Sequence, residues 1–394
     1  MKKVLMITQN FYPEIGSAAN RMKNIFNQLS QNGYEVYVLT TEPSYPNEKM
    51  YKEDKYWNDS FINDNDEKII RLRMRHEKHK GSMSSRVAYY SEFMLKVHYF
   101  VNNTRNKFDY LFITSPNIFV PWGALFLQKN NSTVKILEIR DLWPDSIVAI
   151  DKININIFMP ALKILEKKMY LKSDKIVVNN EYFIHHIQNI IKKNMDYLFI
   201  PNGINRDEVV STKKFEDFSV IYTGNLGFAQ DTIFIEQIAK QLNDEKIRFN
   251  AIVYGVNARD FKEFVDKNNL NYVNVLDPMP RQECLDLTAK HHVSVSILKD
   301  TEVFLNVMPG KVVDSICTNV PVVTNLGGYT NNLINDNKVG FAKSSATPSE
   351  ISNIILEYRN NPEKLKKHSN NTKKLKEKYF IWEENIKKLI QFMG

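Results

Sequence analysis

Residues 308–323 read MPGKVVDSICTNVPVV. Proline suits the first helical position, because its missing N–H would be unpaired there anyway. The glycine beside it allows close approach to the backbone. A lysine at this end is mildly disfavoured by the positive pole of the helix dipole. Its presence makes sense if an anion sits there too. An apolar helix carrying Asp314 follows, then a buried strand at VPVV.

Working outward, the same alternation of strand and helix fills the second half. Strand-like runs stand at SVIYTG (219–224), FNAIVYG (249–255), YVNVLD (272–277), VSVSIL (293–298), VPVVTN (320–325) and VGFAK (339–343). The first half carries VLMIT (4–8), EVYVLTT (35–41), IIRLRM (69–74), YLFIT (110–114), VKILEIR (134–140), KIVVNN (175–180) and YLFIPNG (197–203). Near-continuous β-branched runs with amphipathic segments between them indicate parallel strands covered on both faces. The polar insertion 42–66 reads as a long loop. Asn-Gly in IPNGINRDEV (200–209) marks the join. The expectation is α/β: an N-terminal domain 1–203, a second domain 204–379, and a terminal helix within 380–394 packing back on the first. Ligands of such sheets bind outside the carboxyl ends of the strands.

The chain has 394 residues, 43% hydrophobic and 25% charged, which describes an ordinary globular protein with a sizeable core. Cys284 and Cys317 show no CxxC or Cys/His spacing, so neither a disulfide framework nor a zinc site is expected, and a reducing cytosol is the default. No secretory signal is apparent. The uncharged stretch 110–128 is long enough to raise a membrane span, but Pro116, Asn117 and Pro121 divide it into a strand and a helix start. Residues 1–200 hold 28 basic and 21 acidic side chains, and 201–394 hold 25 and 24. The densest basic part, 68–86, is either a solvated strand and loop or a surface that meets an anionic partner such as phosphate-bearing lipid. No zinc-finger or RRM-type pattern supports nucleic acid.

Neither G-x-G-x-x-G nor G-x-x-x-x-G-K-[ST] occurs, which removes most nicotinamide dehydrogenases and P-loop enzymes. Gly16 and Ser17 open one helix, and Pro309, Gly310 and Lys311 open another. Two helix N-termini facing one cleft can bind a diphosphate. Asp64-Asn65-Asp66 lies in the polar insertion and not at a strand end, so no metal is expected. The His185-His186 and His291-His292 pairs are adjacent in sequence, and adjacent helical side chains do not face one site.

Taken together, FYPEIGSAANR, EIRDLWPDS (138–146), IPNG (200–203), YTGNLGFAQD (222–231) and MPGKVVDSICTNVPVV resemble the retaining glycosyltransferases of family 4, nearly end to end. RDLWPDS and GNLGFAQD resemble a bacterial subgroup that builds capsule and O-antigen repeats, including N-acetyl-L-fucosamine transferases. The resemblance implies the GT-B fold of two facing Rossmann-like domains, a UDP-linked amino sugar as donor and a polyprenyl-diphosphate-linked saccharide as acceptor. It implies no cofactor or metal, and a cytoplasmic protein peripheral on the inner membrane face through its basic N-terminal domain.

It also implies roles. Gly16 falls at the turn near the donor phosphates. Asp314 stands where the family has the second glutamate of E-x7-E, which grips the ribose, and Asn306 replaces the first. The phosphate-binding Arg and Lys of many members are replaced by Asn225 and Gln230, leaving the backbone of Gly224 and Gly227 to approach the phosphates. The missing cation is then expected at Lys311, with Lys299 and Arg281 as weaker candidates. On the acceptor side, Arg140 is positioned for a phosphate or carboxylate, and Asp141 or Asp145 for hydroxyls or a proton. The alternative for Arg140 and Asp141 is a mutual pair that caps the turn. Competing functions are a UDP-sugar epimerase of the same architecture and a non-enzymatic protein binding polyanions or membranes.

Overall fold

A computed structural model describes residues 1–76, 83–115, 117–126, 132–148, 156–208, 213–301 and 307–394. The chain forms two compact units, Met1–Pro201 with Trp382–Gly394, and Asn202–Ile381. In the first, β1 (Lys3–Ile7), β2 (Glu35–Thr41), β3 (Ile69–Leu72), β4 (Tyr110–Thr114), β5 (Val134–Ile139), β6 (Lys175–Val178) and β7 (Asp196–Phe199) build one parallel sheet. Its order is β3-β2-β1-β4-β5-β6-β7, with Met6 opposite Val38 on one side and Phe112 on the other.

The helices of this unit are α1 (Ser17–Gln31), α2 (Ser60–Asn63), α3 (Met83–Asn103), α4 (Phe119–Leu125), α5 (Asp145–Val148), α6 (Met159–Lys172) and α7 (Tyr182–Ile191). Val4 and Met6 point into the layer of α1 and the terminal helix, while Leu5 and Ile7 point into the layer of α3, α4, α6 and α7. Successive strand residues face opposite sides, so a strand covered on both must be apolar throughout.

The second unit repeats the plan with β8 (Ser219–Asn225), β9 (Arg248–Tyr254), β10 (Val273–Leu276), β11 (Val293–Ser296), β12 (Val322–Thr324) and β13 (Gly340–Ala342). They are parallel, in the order β10-β9-β8-β11-β12-β13. One face packs on α8 (Thr232–Asp244), α9 (Ala258–Lys267) and α13 (Pro348–Asn360). The other packs on α10 (Arg281–Lys290), α11 (Gly310–Cys317), α12 (Gly328–Asp336) and α14 (Pro362–Tyr379). The terminal α15 (Trp382–Met393) belongs to the first unit, where Trp382, Ile386, Leu389 and Met393 are buried. Strand order reverses between β1 and β4 and between β8 and β11, the switch points where such sheets bind ligands.

One expectation changes. The insertion 42–66 is not one open loop: it holds two 3₁₀ turns (Glu48–Lys52 and Asp54–Tyr56) and α2, and buries Tyr51, Tyr56 and Ile62. Aromatic and aliphatic side chains scattered among polar ones gave it enough apolar surface to dock. The uncharged stretch 110–128 contributes β4 and α4, and among the described residues no helix is long and apolar enough to cross a membrane.

Candidate functional site

In the second unit, Pro309 caps α11 with an extended backbone and Gly310 begins it, so the first N–H groups of the helix lack intrahelical acceptors. Lys311 extends over the ring of Tyr222, with Nζ 4.0 Å from the ring centre, and donates to Tyr222 Oη at 2.8 Å. Tyr222 in turn donates to the carbonyl of Asn225 at 3.1 Å. Burial pushes the Lys311 ammonium down to about 7. It has no carboxylate partner among the described residues. A side chain at Gly224 would lie 3.6 Å from Lys311 Cε, so the lysine and the carboxyl end of β8 share one space.

The turn after β8 is built tightly. Gly227 N–H donates to Gln230 Oε1 at 2.8 Å, so Gln230 staples the turn and occupies the amide expected to approach a phosphate. Asp231 caps α8 by accepting from Phe234 N–H. Asn225 Oδ1 lies where a Cβ at Gly255 would be 2.0 Å away, and Gly255 has φ +103°, so glycine is required there on both counts. That oxygen is buried with no hydrogen-bond partner among the described residues. Lys299 is exposed, and its N–H donates to the Ala229 carbonyl of the same turn.

Asp314, one turn beyond Lys311, accepts from Arg281 Nη2 at 3.0 Å, and Arg281 Nε donates to Glu208 at 3.0 Å. Burial opposes the Arg281 charge, but Asp314 and Glu208 outweigh it and hold the guanidinium above its ordinary value. Arg281 therefore serves Asp314 and is not the spare cation its sequence position suggested. Burial, reinforced by Asp314, pushes the Cys284 thiol up to about 12. Asn306 lies outside the described residues.

In the first unit, Gly16 caps α1 with φ +130°, and no described residue lies within 4 Å of where its side chain would project. Gly16 therefore supplies no side-chain cap to the helix; Ser17 is its first residue. The loop before it is fastened by Glu14, which accepts from Ser44 N–H at 2.8 Å, Tyr45 N–H at 3.0 Å and Asn10 Nδ2 at 2.7 Å. The insertion therefore holds the Gly16 loop. Gln9 Oε1 accepts from Asn117 Nδ2 at 2.7 Å just past β1 and β4.

Arg140 does not pair chiefly with Asp141. Its Nε donates to the Ser115 carbonyl at 2.9 Å and lies 3.7 Å from Glu138. Glu138 is fully buried, bonded to Arg21 Nε at 2.7 Å and Thr114 Oγ1 at 2.7 Å. Burial pulls the Arg140 guanidinium down to about 10, opposed by Glu138 and aided by Arg21. Asp141 is raised to about 6 by burial, although the Ser146 hydroxyl and Leu142 N–H donate to it.

Asp145 is elsewhere engaged: Lys163 Nζ reaches it at 2.7 Å and buried Glu166 at 2.9 Å. His186 stands 3.9 Å from Asp145 and 3.5 Å from Glu166. Adjacency to His185 does not keep His186 from a site, because one member of such a pair can face it alone. Arg21, Glu138 and Tyr222 lie within FYPEIGSAANR, EIRDLWPDS and YTGNLGFAQD but are given no role by those stretches, and Glu166 carries no sequence signal beyond a helix position.

No protein-family model matches the chain, and no curated protein does. Solved structures do. The sucrose-phosphate synthase of Thermosynechococcus elongatus superposes with a TM-score of 0.74 at 12% identity, covering 100% of this chain and 98% of that one. Anabaena HepE, solved in complex with UDP-glucose, gives 0.70 at 11% identity, with 100% and 99% covered. A mutant of S. aureus TarM, solved with fondaparinux, α-GlcNAc-glycerol and UDP, gives 0.64 at 10% identity, with 100% of each covered. At these identities the likeness is one of architecture, and the chain has the GT-B fold of two Rossmann-like, doubly wound units.

Proposed function

We propose that the chain is a UDP-sugar-dependent glycosyltransferase. It retains anomeric configuration and moves an N-acetylated amino-deoxy sugar, such as N-acetyl-L-fucosamine, to a polyprenyl-diphosphate-linked saccharide in capsule or O-antigen assembly. The observation that carries this reading is Lys311: a cation at a helix mouth, held by Tyr222 beside Gly224, with no carboxylate to neutralise it among the described residues. Breaking a sugar–diphosphate bond builds negative charge on the leaving phosphate, and a fixed donor at that point lowers the barrier. HepE solved with UDP-glucose and TarM solved with UDP support a UDP-linked donor.

In this reading Asp314 takes the ribose, held in place by Arg281. Gly224, Asn225, Gly227, Gln230, Pro309 and Gly310 shape the donor pocket, and Gly16 and Ser17 open a helix mouth of the first unit. Arg140 meets an acceptor phosphate or carboxylate. Asp141, whose carboxyl sits near 6, takes up the acceptor proton, and Asp145 orients hydroxyls. The reaction proceeds without metal at the cytoplasmic membrane face.

The test is thermal-shift titration with UDP, ADP, GDP and NAD, with and without EDTA. A ligand that binds only the native state raises the melting temperature in step with its affinity. A UDP-selective shift unaffected by EDTA is expected. No shift with any nucleotide would remove Lys311 and Asp314 as donor ligands. Turnover of a UDP-sugar into a second UDP-sugar without acceptor would indicate an epimerase instead.

A further inference from the structure

Large apolar side chains are exposed unevenly on the first unit. On the layer of α1 and α15 none is exposed among the described residues. On the opposite layer, α6 with its lead-in exposes Ile157 (85%), Phe158 (62%), Ile164 (56%) and Leu171 (40%). Elsewhere on that layer α3 exposes Leu95 and Tyr99. Residues 164 and 171 are two turns apart on one stripe. Lys167, Lys168 and Lys172 are exposed alongside that stripe. The one acid of α6, Glu166, faces inward and is bonded to Lys163 and Tyr170.

We propose that the outward face of α6 is a membrane-docking surface for an anionic bilayer, its apolar stripe entering the headgroup boundary and its flanking lysines meeting lipid phosphates. Binding at a bilayer surface grows with the apolar area that enters it and with attraction to anionic lipid, and exposed apolar side chains edged by lysines supply both. The lysine stems extend along apolar surface while their ammonium groups stay wet. A second copy fits less well, because a two-fold contact sets the same basic patch against itself. Nucleic acid would reward the lysines but not the exposed Ile157, Phe158, Ile164 and Leu171.

The surface differs from the basic stretch 68–86 singled out in the sequence. There Arg71 turns inward to the Tyr12 carbonyl, and Glu92 gathers the His76 ring and Lys96; residues 77–82 lie outside the described ones. As the site where a lipid-linked acceptor is met, the α6 face rests on the transferase reading. Docking itself does not, and is measured without nucleotide or acceptor, so either can fail alone.

The experiment is co-flotation of the full chain with vesicles of phosphatidylcholine alone or with phosphatidylglycerol. Binding to the anionic vesicles, weakened by salt, is expected. Ile164→Glu or Leu171→Glu should each weaken it by about tenfold or more, with an unchanged melting temperature since both sites are exposed. Lys167→Gln and Lys168→Gln should each cost about fivefold on anionic vesicles and little on neutral ones. Tyr272→Glu, an exposed site in the second unit, should change nothing. Absence of wild-type binding at low salt, or full binding by both glutamate variants, overturns the proposal. So does a dimer in sedimentation that the glutamate variants dissolve, which would assign the face to a second copy.

Discussion

Lys311 stands over an aromatic ring, where an ammonium gains some electrostatic attraction but far less than a carboxylate would give. Burial holds its charge back, near 7, until an anion arrives. Lys311→Ala should lower turnover by about 10²–10³-fold, with UDP affinity changed less; steady-state kinetics beside UDP titration separate the two, and wild-type turnover would exclude it from the reaction. The pH dependence has a definite sign. A bound diphosphate favours the charged lysine, so above pH 7 binding must take up a proton. UDP affinity should fall from pH 7 to 9, by at most about tenfold per unit. Calorimetry in buffers of different ionisation heat should detect that proton in wild type and miss it in Lys311→Met. Lys311 itself was legible from its place in MPGK; Tyr222, 89 residues earlier, stood in YTGNLGFAQD with nothing to mark it as the partner of Lys311.

At the scale of elements, the Arg21–Glu138 pair couples α1, the helix opened by Gly16, to β5, the strand that leads into RDLWPDS. Both side chains are buried, and Trp382 of α15 lies 5.4 Å from the Arg21 guanidinium. Removing one partner of a buried pair strands the other charge, at a cost of about 3–5 kcal/mol. Arg21→Met should show that loss in urea unfolding, and Arg21→Met with Glu138→Leu should recover part of it. A single-variant loss under about 1 kcal/mol would mean the pair does not brace these elements. Thr114 and Arg140 also touch Glu138, so the brace reaches the candidate acceptor residues.

For the whole molecule, the decisive feature is that α15 leaves the second unit and completes the first. Trp382 is 1% exposed in the core beside α1. Trp382→Ala should cost the first unit about 3–5 kcal/mol. Because two-state analysis fails for chains of several domains, the readout is unfolding followed with and without UDP. The transition that UDP does not raise should be the one that moves. Movement of the UDP-sensitive transition instead would contradict this assignment.

By itself the sequence determined the strands of both units, their parallel pairing in two doubly wound sheets and the helix mouths at Gly16 and Gly310. Those features are written in local periodicity, since a strand buried on both faces must be apolar at every position. Only the tertiary structure decided that Gln230 staples its own turn, that Arg281 is spent on Asp314 and Glu208, that Glu14 ties the insertion to the Gly16 loop, and that His186 stands near Asp145. A side chain's partner depends on which surfaces meet when elements pack, and no pattern within either segment records it.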